Sequence, residues 1–260
     1  MSDISRSPGP LRAAVLIPAR NEEEALPGLL EALAASDVEG LETVVVVDNG
    51  STDETAGLAH AAGALVVREP RPGYGQACQR GLAALAMLDP PPGVVAFLDA
   101  DDYRAPEQLA ELLQPIRAGL ADMVVGVRSA PAGEGVRWHA ALGNRLVLTV
   151  LRLLYGDTTG DMGPFRAIRW ECLRQLGLDD PNYGWYVQMQ VRALRGGWRV
   201  TSVPVFFQRR TRGRSKVSGS LTGSMAAGWV MLRTLLREVL RSSRSSNGRE
   251  EDQLRADTSS

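Results

Sequence analysis

Four consecutive valines, Val44 to Val47, run directly into Asp48. A strand that is apolar at every position has no solvated face, so it must be covered on both sides, as in a parallel sheet flanked by helices. Ala13 to Pro18 is a second run of this kind. Leu65 to Arg68, Val94 to Asp99 and Met123 to Val127 continue the series. The pattern predicts an α/β protein with a doubly wound, mostly parallel, Rossmann-like sheet.

The intervening segments carry helical spacing with readable ends. Pro27 suits a first turn and is followed by Leu29, Leu30, Leu33 and Ala34 on one face. Asp53 to Ala62 stops at Gly63, Tyr74 to Leu88 places Ala and Leu at helical intervals, and Pro106 opens a helix that Pro115 should kink or end. The second half is less regular. Long helices are expected at about Arg137 to Tyr155, Trp185 to Arg195 and Leu221 to Leu240.

The formal net charge of -1 leaves no overall field for non-specific nucleic-acid binding. Cys78 and Cys172 are far apart and match no metal or disulfide spacing, which suits a reducing, cytoplasmic compartment. Met1 to Pro10 lacks the apolar core of a signal peptide, and Arg233 interrupts the longest apolar stretch, Leu221 to Leu236. Residues 1–11 are expected to be flexible, and the Ser-rich, charged run 241–260 to be disordered.

Ligands of doubly wound sheets sit at the carboxyl ends of the strands. Pro18-Ala19-Arg20-Asn21-Glu22, Asp48-Asn49-Gly50-Ser51 and Asp99-Ala100-Asp101-Asp102 all fall at such ends. Asp99 and Asp101, separated by one residue, can point the same way and would repel without a cation or a proton between them. Mg²⁺ or Mn²⁺, shared with substrate phosphates, fits that pair. The plainer reading is an acidic turn in which Asp102 caps the next helix. Asp48 can accept from a ribose hydroxyl or a base N–H, while Ser51, Thr52 or Asp53 can cap a helix. In the loop Arg71-Pro-Gly-Tyr-Gly75-Gln76, helix N–H groups could face a ligand, although such loops are commonly just turns.

LIPARNEEEALPGLLEAL, VVVVDNGSTDET, PGYGQACQRGL and AFLDADD, in that order, resemble the inverting family-two glycosyltransferases of GT-A type. GNRL at Gly143 to Leu146, GDMGPFRAIR at Gly160 to Arg169 and RRTRGRSKVSGSLTG at Arg209 to Gly223 are similar to the dolichol-phosphate mannose synthase-like branch. The resemblance implies one GT-A domain over 12–240, with a nucleotide-binding half (12–128) and an acceptor-binding half (129–240). It implies a UDP- or GDP-hexose donor and a polyprenyl phosphate acceptor. Pro18, Arg20, Glu22 and Asp48 would line the base and ribose pocket, joined by Gly75. Asp99 would lie near ribose and metal, and Asp101 would be the principal metal ligand. The branch often carries a metal-holding glutamine where this chain has Tyr103, and a glutamate where it has Gln188.

Arg209, Arg210, Arg212, Arg214 and Lys216 suit a phosphate, and Arg145 could reach the same anion. A solvated charge run, or arginines snorkelling at a membrane surface, would look alike. A phosphate acceptor is already anionic and needs no general base, whereas a hydroxyl acceptor would need one within reach, with Asp161 the candidate. Asp161 could equally be a structural carboxylate in a glycine-rich turn. Trp138 to Tyr155 and Leu221 to Leu240 mix Leu, Val and Trp with Arg, as helices at a membrane surface do, and so do helices packed on a sheet. A nucleotidyltransferase would announce a Gly-rich basic loop after the first strand, which PARNEEE lacks. A non-catalytic sugar-nucleotide-binding protein is the remaining alternative, motivated by Tyr103 and Gln188.

Overall fold

A computed structural model of the chain describes residues 11–102, 105–129, 138–157, 159–206 and 229–241. Seven strands form one sheet in the order β3-β2-β1-β4-β6-β5-β7. They are β1 (Ala13–Ala19), β2 (Leu41–Asp48), β3 (Leu65–Arg68), β4 (Val94–Phe97), β5 (Met123–Ser129), β6 (Arg166–Arg169) and β7 (Val200–Phe206). The first four are parallel, β6 runs antiparallel to both β4 and β5, and β7 pairs parallel with β5.

The doubly wound expectation holds, with two additions. The sequence Arg-Ala-Ile-Arg at β6 is short and begins and ends on arginine, so it carries no apolar-run signal. Its Arg166 is nevertheless fully buried. In β7, Pro204 lacks the N–H that an inner strand needs, and the strand lies at the sheet's edge, where that loss is tolerated.

The pleat of each strand divides the core into two layers. Val15, Ile17, Val46 and Ala96 face α1 (Leu26–Ala35), α2 (Thr55–Ala61) and α4 (Ala105–Arg117). Ala14, Leu16, Val45, Val47 and Phe97 face α3 (Tyr74–Leu85), α6 (Trp170–Gln175) and α7 (Trp185–Arg195). The spacing of Leu26, Leu29, Leu30 and Leu33 buries one stripe of α1, and Pro27 sits in its first turn. At Gly81, α3 approaches the sheet so closely that a Cβ would lie 2.7 Å from Leu16 and 2.9 Å from Val47. Replacing fully buried Leu16 by Ala would cost about 2–5 kcal/mol. Pro115 lies inside α4, which ends two residues later at Arg117, and the Pro115 carbonyl accepts from Leu120 and Ala121 instead.

A third, smaller core joins α5 (Trp138–Tyr155), α7 and the helical segment 229–241 through Val147, Leu151, Met162, Val187, Val191 and Leu235. The helix expected from Leu221 is described only from residue 229, and both terminal runs, 1–10 and 242–260, lie outside the described residues.

Candidate active site at the carboxyl edge of the sheet

From β1 the chain moves outward to β2 and β3, then crosses back to place β4 on the other side of β1. The carboxyl ends of β1 and β4 therefore flank the topological switch point, where such sheets open a crevice. Pro18 widens it. Leu98 donates its N–H to the Leu16 carbonyl, so by strand alternation residue 18 would point its own N–H toward β4, and proline has none. The β1–β4 pairing accordingly ends at Leu16 and Phe97, while β1 stays paired with β2 through Ala19 and Asp48.

The loops on the β2 side are laced together. Asn21, in the left-handed region at φ 50, donates its N–H to Ser51 Oγ and accepts from the Thr52 N–H. Glu22 N–H donates to Thr55 Oγ1, and Glu54 N–H donates back to Glu23. Burial alone would raise the Asp53 carboxyl, but bonds from the Thr55 hydroxyl, the Thr55 N–H and the Glu23 N–H outweigh it and hold Asp53 below the ordinary range. Asp48 is buried, with Oδ1 accepting the Ser51 N–H and Oδ2 4.0 Å from the Arg68 guanidinium. Asn49 donates to the carbonyls of Glu69 and Arg71 and accepts from the Gly73 N–H, which fixes the loop leading into α3.

Across the crevice, Asp99 and Asp101 are half-buried on either side of buried Ala100. They lie past the end of β4, in a turn closed by the Asp102 N–H on the Asp99 carbonyl, so the turn and not strand alternation sets their directions. Tyr74 donates its hydroxyl to Asp99 Oδ1 at 3.4 Å and is hydrogen-bonded to the Tyr186 hydroxyl. Burial first, then Tyr186 and Asp99, pushes the Tyr74 phenol well above its ordinary value, and burial, Cys78 and Asp99 do the same for Tyr186 against the Tyr74 hydrogen bond and Arg166, so both stay protonated. Tyr183, although 37% exposed, feels the same charges: partial burial and Asp99 raise its hydroxyl while Arg20 pulls it down.

Asp161 is buried, and its Oδ1 accepts the N–H groups of Met162 and Gly163 at 2.7 and 3.1 Å. Arg166 closes this turn by donating Nε and Nη2 to the Gly163 carbonyl. Its guanidinium lies 4.3 Å from the centre of the Tyr186 ring. Burial lowers Arg166 to about 10, against the pull of Tyr186 and Asp161, so it remains charged at neutral pH.

The structure thus brings Pro18, Arg20, Glu22, Asp48, Asp99 and Asp101 to one edge. Gly75 serves packing there, because a Cβ would overlap the Asp180 carbonyl, and the Gln76 N–H donates to Pro181. Arg145 is exposed on α5, roughly opposite the face that buries Val147 and Leu151, and no described contact joins it to the aspartates. Tyr103 and the basic run with Arg210, Arg214 and Lys216 lie outside the described residues. Gln188 is structural: buried, it accepts from the N–H groups of Asp179 and Asp180 and donates to Asp179 and Glu238. Tyr74, Tyr183, Tyr186 and Arg166 were not singled out from sequence. The available signal was polar-tipped aromatic residues inside a glycine loop and an apolar helix.

Residues 14–177 match the family model described as Glycosyl transferase family 2. An uncharacterised glycosyltransferase of Mycobacterium tuberculosis is 41% identical over 213 residues, covering 82% of this chain and 93% of that one. The undecaprenyl-phosphate mannosyltransferase of Micrococcus luteus is 33% identical over 254 residues, covering 87% and 99%. Glucosyl-3-phosphoglycerate synthase of M. tuberculosis, solved with Mn²⁺, UDP and glucosyl-3-phosphoglycerate, superposes with a TM-score of 0.71 at 25% identity, over 87% of this chain and 79% of that one.

Proposed function

The chain belongs to glycosyl transferase family 2, and from that premise we propose that it moves a hexose from a UDP- or GDP-sugar to a polyprenyl phosphate. The observation that carries this reading is the placement of Asp48, Asp99 and Asp101 at the carboxyl edge of the sheet, beside the break that Pro18 makes between β1 and β4. Residues 12–128 form the donor half and 129–240 the acceptor half. Asp48 accepts from the nucleoside, and Arg20 and Glu22 border it. The relative from M. luteus, an undecaprenyl-phosphate mannosyltransferase by name, supports the lipid phosphate as acceptor.

No cluster of three or more metal-ligating side chains occurs among the described residues. Two carboxylates completed by donor phosphates suit Mg²⁺ or Mn²⁺ better than a metal that needs a full protein cage. Asp99 and Asp101 would hold the ion, which when bound supplies countercharge to the departing nucleoside diphosphate. A phosphate acceptor brings its own negative oxygen, so the protein's task is in-line positioning and water exclusion. Asp161, already accepting two N–H groups through Oδ1, shapes the turn beneath the acceptor. A second reading keeps the donor and makes Asp161 the base for a hydroxyl acceptor. The likeness to glucosyl-3-phosphoglycerate synthase favours it.

No described helix is long and apolar enough to cross a membrane. Leu146, Leu153 and Leu154 on α5, and Trp229, Leu236 and Leu240 on segment 229–241, are exposed beside Arg145, Arg152, Arg233 and Arg237. These faces suit peripheral contact with the anionic cytoplasmic surface of a membrane.

A thermal-shift screen of UDP-glucose, UDP-GlcNAc, UDP-galactose and GDP-mannose, each with Mn²⁺ and with EDTA, tests the donor site. A donor at a hundred times its dissociation constant adds about 2.7 kcal/mol. A Mn²⁺-dependent shift that Asp101→Ala abolishes supports the reading, and an unaffected Asp101→Ala protein overturns the metal assignment. With the donor known, transfer to undecaprenyl phosphate by Asp161→Asn separates the acceptors, since the lipid-phosphate reaction tolerates this change and hydroxyl transfer does not.

A further inference from the structure

Half-buried Tyr74 and buried Tyr186 and Arg166 run between the donor carboxylate and the Asp161 turn. Tyr74 has one hydroxyl proton and gives it to Asp99 Oδ1. The proton in the Tyr74–Tyr186 hydrogen bond must therefore come from Tyr186, which fixes the direction of the chain. The Tyr186 ring stands against Arg166, and its carbonyl accepts from Arg166 Nη1 at 3.4 Å. The other guanidinium nitrogens bond to Gly163, within the turn that Asp161 organises. Each phenol has one hydroxyl proton and one acceptor for it, so a shift of Asp99 is passed to Tyr74 and, through its hydroxyl, to Tyr186.

We propose that Tyr74, Tyr186 and Arg166 are positioning residues that couple Asp99 to the Asp161–Gly163 turn, so that occupation of the donor side orders the acceptor side. The coupling rests on the donor-side reading of Asp99 given above. Purely structural phenols would fill space equally well as phenylalanine. A coupling chain would not survive that change, because Tyr74→Phe removes the hydrogen bond to Asp99 and Tyr186→Phe removes the one that orients Tyr74.

The test uses the full chain as wild type, Tyr74→Phe, Tyr186→Phe and Asp101→Asn. Mn²⁺ binding in the presence of UDP is followed by the electron paramagnetic resonance of the free ion, and amide hydrogen exchange is measured over residues 159–166 with and without UDP and Mn²⁺, where the wild type is expected to be protected on binding and the phenylalanine variants are not. Both phenylalanine variants are expected to bind Mn²⁺ about three- to ten-fold more weakly and to exchange faster at Met162 and Gly163. Wild-type exchange over 159–166 in both phenylalanine variants overturns the coupling, whatever the metal does. Unchanged Mn²⁺ binding in Asp101→Asn, or none in the wild type, refutes the metal reading, and the exchange measurement then decides the coupling alone.

Discussion

Gln188 Nε2 donates to Glu238 Oε1 across 3.0 Å, joining α7 to the last described helix. The same nitrogen lies 2.6 Å from Asp179 Oδ1, so it faces two carboxylates while the amide oxygen takes two backbone N–H groups. An amide is the group that can do both. Arg192 completes the cluster by bonding Glu238 and Asp179.

Gln188→Glu places a third carboxylate where the amide nitrogen was. It is expected to cost about 1–3 kcal/mol at neutral pH. Part of the loss should return near pH 5, as the crowded carboxylates share a proton. Thermal melts at the two pH values check this, and a variant equally stable to wild type at pH 7.5 would refute the account. Turnover per folded molecule should be unchanged, because among the described residues Gln188 bonds only Asp179, Asp180 and Glu238 through its side chain.

Asp122 is buried at the foot of β5, where Arg199 bonds both of its oxygens and Arg169 lies 3.4 Å away. Burial raises its carboxyl, but the Arg199 bonds and charge, with Arg169, outweigh burial and hold it below the ordinary 3.8. The folded pKa is depressed, so the unfolded chain binds the proton first on acidification. The stabilisation is complete above the ordinary value and is lost as pH falls through the depressed one. Asp122→Asn should lower stability by about 1–3 kcal/mol at pH 7 and flatten the loss below about pH 4, read from denaturant unfolding across that range.

Gly75→Ala should cost about 1–3 kcal/mol, because the added methyl meets backbone at Asp180 and Pro181 and cannot be relieved by a side-chain rotation. Faster hydrogen exchange over 179–184 would accompany the loss. A fully stable variant with unchanged exchange would show that the loop yields easily.

Leu153 and Leu236 are 79% and 53% exposed, so glutamate at both should change stability by less than about 0.5 kcal/mol each. Co-flotation with vesicles containing anionic lipid should fall sharply in the double variant. Equal flotation by wild type and variant would remove these two faces from membrane contact.

The central strands were legible because their chemistry is uniform: Val44 to Val47 can only lie between two layers. The strand-end aspartates followed from that placement. Arg166 was illegible for the opposite reason. A guanidinium inside a strand is tolerable only because the Gly163 and Tyr186 carbonyls and the Tyr186 ring await it, and those partners are brought together by tertiary packing. The directions of Asp99 and Asp101 were misread in mechanism, since a turn begins where the strand was expected to continue. Gly75 shows the same limit. A glycine before a helix looks alike whether a ligand or the chain's own Asp180 fills the space beside it.

Because the crevice begins where proline interrupts the ladder between β1 and β4, its existence does not depend on what surrounds it. On the proposed reading of the site, the loops at Arg20, Asp48 and Asp99 can exchange side chains, and with them the preferred base or sugar, without the sheet being re-cut. Selectivity can therefore drift through descent while the opening itself is inherited as a property of the main chain.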